Sequence, residues 1–156
     1  MIDRLRALFD VTADGQLVRR CDWYKGRAGD VVGCPQTAGY LRCRVDGKFM
    51  LVHRIIFAIH YGYLPKSVDH IDGDILNNRP YNLREATQSQ QLQNQKIRAS
   101  NKYGVKGLDR CRDKWRGRVC VGGVERSIEH HDRAVVEHWL NSTRQELHGE
   151  FACNRR

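Results

Sequence analysis

Apolar residues recur along this chain with two different periods. In LVHRIIFAIHYG (51–62), Val52, Ile55, Ile56 and Ile59 return at helical spacing and Gly62 offers a stop, so the segment predicts an amphipathic helix. In KWRGRVCV (114–121) the period is two. Trp115, Gly117, Val119 and Val121 alternate with Arg116, Arg118 and Cys120, which predicts a strand with one apolar and one basic face. Gly122-Gly123 then makes a tight turn into a strand over residues 124–130. A second amphipathic helix follows in DRAVVEHWLNSTRQEL (132–147), capped by Asp132 and marked by Ala134, Val135, His138, Trp139 and Leu147. The first fifty residues predict two hairpins. One turns at Asp14-Gly15 (8–20) and the other at Asp46-Gly47 (39–52), with a loop and a short strand between them.

Chemistry concentrates in VDHIDGDILNNRPYNL (68–83). Strand alternation sends Asp69 and His70 to opposite faces, so a carboxylate and an imidazole address one site from different sides. Hydrolysis of a phosphodiester needs those two groups: a base near neutral pKa and a hard cation held by oxygen. Asp72, Gly73, Asp74, Asn77 and Asn78 are turn formers whatever the function. A helix is expected from Pro80 onward through Asn82, Leu83 and Arg84, with Asn78 as its cap and Pro80 in its first turn. Its amides, Gln90, Gln91, Gln93 and Asn94, suit Mg²⁺ or Mn²⁺ together with a carboxylate, and closely paired Cys or His residues that would argue for zinc are absent from this stretch.

From Val52-His53-Arg54 to Asn94 the chain resembles the H-N-H nuclease motif of the ββα-metal superfamily, in the form found in phage and intron-encoded homing endonucleases. The matching pieces are VHR (52–54), Tyr63-Leu64-Pro65, VDHIDGD (68–74), Asn77-Asn78, NLR (82–84) and the amide-rich tail. The resemblance implies that His70 is the general base, Asp69 a metal ligand, and Asn82 the middle Asn that braces the loop and so fixes the imidazole. It further implies that Gln91 or Asn94 completes the metal site. Family members usually carry Asn where this chain has Gln91, one methylene longer. His53 is expected to be a structural residue on a helix behind the site. Arg54, Arg79 and Arg84 are alternatives for a phosphate contact.

Charge extends the reading to a partner. The chain of 156 residues carries a net charge of +9, and Lys96, Arg98, Lys102, Lys106, Arg110, Arg112, Lys114, Arg116 and Arg118 crowd its last third, as expected for a polyanion-binding surface. YGVKGL (103–108), KWRGRV (114–119), the following helix and ELHGEFACN (146–154) resemble the Apetala2-type DNA-binding domain. That resemblance implies a sheet in the major groove of double-stranded DNA, with Arg116 and Arg118, and less directly Arg110 and Arg112, as contacts. Arg19, Arg20, Lys25, Arg27, Arg42 and Arg44 would widen the footprint.

The expected architecture is α+β: a nuclease module with a β-rich lead-in (1–95), a linker (96–102), and a three-stranded sheet plus helix (103–156). Six cysteines without C-x-x-C spacing read as reduced thiols. With no apolar leader or membrane span, the expected location is the cytoplasm, that of the host cell for a phage protein. The function read from the sequence is a site-preferring, divalent-metal-dependent DNA endonuclease, of phage homing type by resemblance, nicking as a monomer and breaking both strands only as a homodimer or in two successive events. Two competing readings are a DNA-binding regulatory protein with a weakened nuclease site, which Gln91 keeps open, and a low-specificity nuclease of packaging or defence.

Overall fold

A computed structural model describes residues 1–22 and 26–154. Lys25, one of the basic residues expected to widen the footprint, lies outside the described residues. Helices and strands are mixed in α+β fashion, and the chain divides into two compact units, Met1–Gln88 and a second beginning at Ser89.

The first unit opens with helix α1 (Ile2–Leu8), which buries Leu5 and Leu8. The hairpin of β1 (Phe9–Val11) and β2 (Leu17–Arg19) follows. Strands β3 (Cys34–Pro35), β4 (Leu41–Val45) and β5 (Lys48–Leu51) form an antiparallel sheet. Its second turn is built on Asp46 (φ 46°) and Gly47 (φ 83°), the pair of positive angles that a two-residue hairpin with the right twist requires.

Helix α2 (Val52–Tyr61) is the centre of this unit. Val52, Ile55, Ile56, Phe57 and Ala58 are buried, packing with Leu5, Phe9, Leu17, Val45, Val68 and Leu83. Each such aliphatic side chain contributes about 1.5–3 kcal/mol when removed from water. The helix stops where expected, at Gly62, whose left-handed backbone lets its N–H reach the Ala58 carbonyl.

Strands β6 (Val68–His70) and β7 (Leu83–Glu85) pair antiparallel, with Asp69 opposite Arg84 and His70 opposite Leu83. The helix expected from Pro80 is therefore corrected. Pro80–Asn82 makes a single 3₁₀ turn, Leu83–Glu85 is a strand, and the next helix, α3, spans Gln88–Asn94. Leu83 decides the matter physically: it is 2% exposed and packs in the core with Val68, and its strand backbone is taken up by the ladder to β6. Asn78 does not cap a helix, because its side-chain oxygen is engaged by His70.

In the second unit β8 (Leu108–Cys111), β9 (Lys114–Val121) and β10 (Val124–His130) form an antiparallel sheet in the order β10-β9-β8. Helix α4 (Arg133–His148) packs on one face, its start capped by the Asp132 carboxylate accepting from the Ala134 N–H. Gly117 lets the helix come close. A Cβ there would lie 2.8 Å from Val136 Cγ1 and 3.0 Å from Leu140 Cγ. Trp115, Val119 and Val121 share that face with Val136 and Leu140, so the predicted alternation of β9 is what seats the helix.

All six cysteines are free thiols. Among the described residues no helix is long and apolar enough to cross a membrane.

Candidate active site

His70 ends β6 and is 3% exposed. Its Nε2 lies 3.0 Å from Oδ1 of Asn78, itself buried. An amide oxygen only accepts, so Nε2 carries the proton and donates, and the basic lone pair belongs to Nδ1. Two rings wall in the imidazole: His53 packs edge-on at 5.0 Å between centroids and Tyr40 lies at 6.2 Å. His53 stands on α2 and is 4% exposed. Burial, with the nearby His70 and Arg54 adding to it, pushes the His53 pKa down to about 3. His53 is thus a neutral wall against the His70 ring.

Asn82 holds the loop between β6 and β7 shut. Its Oδ1 accepts from the Asp72 N–H, while its Nδ2 donates to Asp72 Oδ1 (2.9 Å) and to the Asn77 carbonyl (2.8 Å). Asp72 is the hub, since it also accepts from the Asp74 N–H and from Asn77 Nδ2. Burial raises the Asp72 pKa, but hydrogen bonds from Asn82, the Asp74 amide and Asn77 outweigh it and hold the carboxyl below its ordinary range. Sequence reasoning treated Asp72 and Asn78 as turn formers and missed both roles. The only signal available was the recurrence of Asp and Asn at 72, 77, 78 and 82.

A further support comes from the first hairpin. A Cβ on Gly15, whose φ is +79°, would fall 2.4 Å from the backbone nitrogen of Arg79. The β1–β2 turn therefore rests directly on the backbone that carries Asn78.

Asp69 faces away from His70, as alternation requires, and meets Arg84 from the neighbouring strand. Arg84 Nε and Nη2 both donate to Asp69 Oδ2, at 3.2 and 3.0 Å, and the two side chains are only 11% and 12% exposed. Gln91 and Asn94 lie on α3, in the second unit. Among the described residues no group of three or more His, Cys, Asp or Glu gathers as a metal site. Asp69 offers carboxylate oxygen, a hard donor of the kind that suits Mg²⁺. The Arg84 fork already seats a positive charge on Asp69. Arg54, an alternative for a phosphate contact, donates from Nη2 to the Pro65 carbonyl.

The four arginines of the second unit are not equivalent. Arg116 and Arg118 project from the sheet face opposite α4 and share Asp109, whose Oδ2 lies 3.4 and 3.9 Å from their Nη2 atoms. Arg110 pairs across the ladder with Trp115, and its guanidinium lies 4.9 Å from that ring on the other face. Arg112 occupies the β8–β9 turn with φ 55°. Cross-strand register puts Glu125 and Glu129 of β10 beside Cys120 and Arg116, so the Arg116 face mixes both signs of charge.

The HNH endonuclease family model matches residues 50–93, the stretch holding Asp69, His70, Asp72, Asn78 and Asn82. Protein 3.8 of Escherichia phage T7 is 41% identical over 95 residues, covering 58% of this chain and 78% of that protein. The uncharacterized HNH endonuclease L560 of Acanthamoeba polyphaga mimivirus is 32% identical over 141 residues, 88% of this chain and 68% of that protein. No solved structure matches the chain. A buried, oriented histidine on a short β-ribbon, a loop closed by an asparagine, and identity that runs across most of a viral HNH endonuclease have one common explanation: the chain belongs to the HNH endonuclease family and is an endonuclease.

Proposed function

We propose that this protein is a divalent-metal-dependent endonuclease of double-stranded DNA with a preference for particular sites, acting in homing or a related phage process. The observation that carries the reading is the orientation of His70: Asn78 Oδ1 accepts a hydrogen bond from Nε2–H, so Nδ1 is the atom with a basic lone pair. In this reading Nδ1 removes a proton from water as that water attacks phosphorus in line. The Asp72–Asn82 pair keeps the loop from relaxing and so keeps the ring in place. His53 and Tyr40 limit the ring's freedom. The Asp69 carboxylate would hold a divalent cation, which would supply neutralisation of charge on the phosphate oxygens and the leaving 3′ oxygen. Products carry 5′-phosphate and 3′-hydroxyl ends.

The second unit serves as the DNA-binding module in this proposal, resembling the Apetala2 type in its three strands and packed helix. Arg116 and Arg118 are its leading contacts, and Arg110 and Arg112 are secondary. Mapping the strand ends made in phage and host genomic DNA by the wild type and by Asp69→Asn, with Mg²⁺ or chelator, tests the whole reading. Recurrent 5′-phosphate ends that need both Mg²⁺ and Asp69 are expected. Ends scattered without sequence preference would overturn the site-preferring part, and ends formed equally in chelator would overturn metal dependence.

A further inference from the structure

The Asp69–Arg84 pair is hard to reconcile with a carboxylate that simply waits for a cation. The two residues are register partners on β6 and β7. Arg84 Nε and Nη2 donate to the same oxygen, Oδ2, and little of either side chain reaches solvent. A guanidinium seated there already satisfies the negative charge, and a divalent cation brought to the same carboxylate meets a like charge at close range in a poorly screened place. Something must offset that repulsion before the cation is held well. The group best suited is a phosphate: guanidinium is planar, always charged, and forks onto phosphate oxygens as readily as onto carboxylate.

We propose that Arg84 is the resident counter-charge of Asp69 in the DNA-free protein, and that it turns to a backbone phosphate when a duplex binds, opening the carboxylate to the cation. This deepens the nuclease reading above and rests on it. Cation binding and DNA binding are then positively coupled. Because coupling is reciprocal, the duplex tightens Mn²⁺ by the same factor as Mn²⁺ tightens the duplex. The protein is thereby kept from arming its site without substrate.

Mn²⁺ binding, followed by electron paramagnetic resonance in a His70→Ala background that leaves DNA intact, tests this without reading activity. The wild-type pair is expected to bind Mn²⁺ about tenfold more tightly with a short duplex present, after subtraction of Mn²⁺ held by duplex alone. Arg84→Gln is expected to bind Mn²⁺ about tenfold more tightly than Arg84 without DNA, with coupling reduced to about threefold or less. Arg84→Lys, which keeps the charge, should stay near the parent. If Arg84→Gln fails to fold, equal Mn²⁺ affinity with and without duplex in the parent protein is enough to overturn the proposal. Unchanged affinity in a folded Arg84→Gln overturns it as well. Failure of the underlying reading looks different: Asp69→Asn would then leave Mn²⁺ binding unaltered in every state.

Discussion

His70 Nε2 and Asn78 Oδ1 lie 3.0 Å apart in a place where both residues are buried, so a single amide selects the tautomer of the His70 ring. Asn78→Ala removes the acceptor and lets the ring populate both tautomers. Turnover should fall roughly 10- to 100-fold, as for other residues that orient a reacting group, with little change in KM. Nitrogen-15 shifts of the His70 ring give a check independent of rate. The wild type should show one Nε2-protonated form and the variant a mixture.

Asp72 ties Asn77, Asn82 and the Asp74 amide together. Replacing it with Ala orphans these donors, at about 1–3 kcal/mol for each that stays buried. Its folded pKa lies below the ordinary carboxylate value, so the unfolded chain takes up the proton first. The stability this gives is present above about pH 3.9 and is lost as pH falls through the lower folded pKa. Acid denaturation curves of the wild type and Asp72→Asn should converge below that point and diverge above it.

His53 shifts stability in the same direction, over a higher pH range. The unfolded ring protonates near its ordinary value of about 6.5, whereas the folded one stays neutral down to about 3. Stability should therefore decline as pH falls below about 6.5, by up to about 1.4 kcal/mol per pH unit from this group, and level off below about 3. Denaturant titrations of His53→Phe should lack this component, and an unchanged slope would show that the ring is not the source.

Asp109 pairs with Arg116 and Arg118 on a face that also carries Glu125 and Glu129. Fixed arginines on a face of mixed charge suit base reading better than a general grip on phosphates. Asp109→Ala should strengthen binding to random DNA and weaken discrimination between sites. Arg116→Ala should lose about 1–3 kcal/mol at one base pair. Competition binding at two salt concentrations separates these effects.

Strongly periodic segments were readable from sequence. Val52, Ile55, Ile56 and Ile59 marked α2, and the alternation from Lys114 to Val121 marked β9, because burial imposes those periods. Segments whose structure is set by distant partners were not. Pro80 and Asn78 fit a helix start as well as a 3₁₀ turn, and only the pairing of Leu83 with His70 separates the two. Helix α1 lacks a side-chain cap and spans seven residues, too little for a clear signal. In the site, Asp69, His70 and Asn82 stood out by motif. Asp72, Asn78 and Arg84 act through bonds to residues eight to fifteen positions away, and such bonds exist only once the β6–β7 ribbon has closed.

The central claim is that His70 is the base of a metal-dependent strand cleavage. Single-turnover cleavage of supercoiled DNA by the wild type and His70→Ala, with Mg²⁺ and with chelator, tests it most directly. The account predicts nicked product from the wild type with Mg²⁺ alone, and a loss of about 10²- to 10⁴-fold in rate for His70→Ala with DNA affinity unchanged. Cleavage by His70→Ala at the wild-type rate would contradict it.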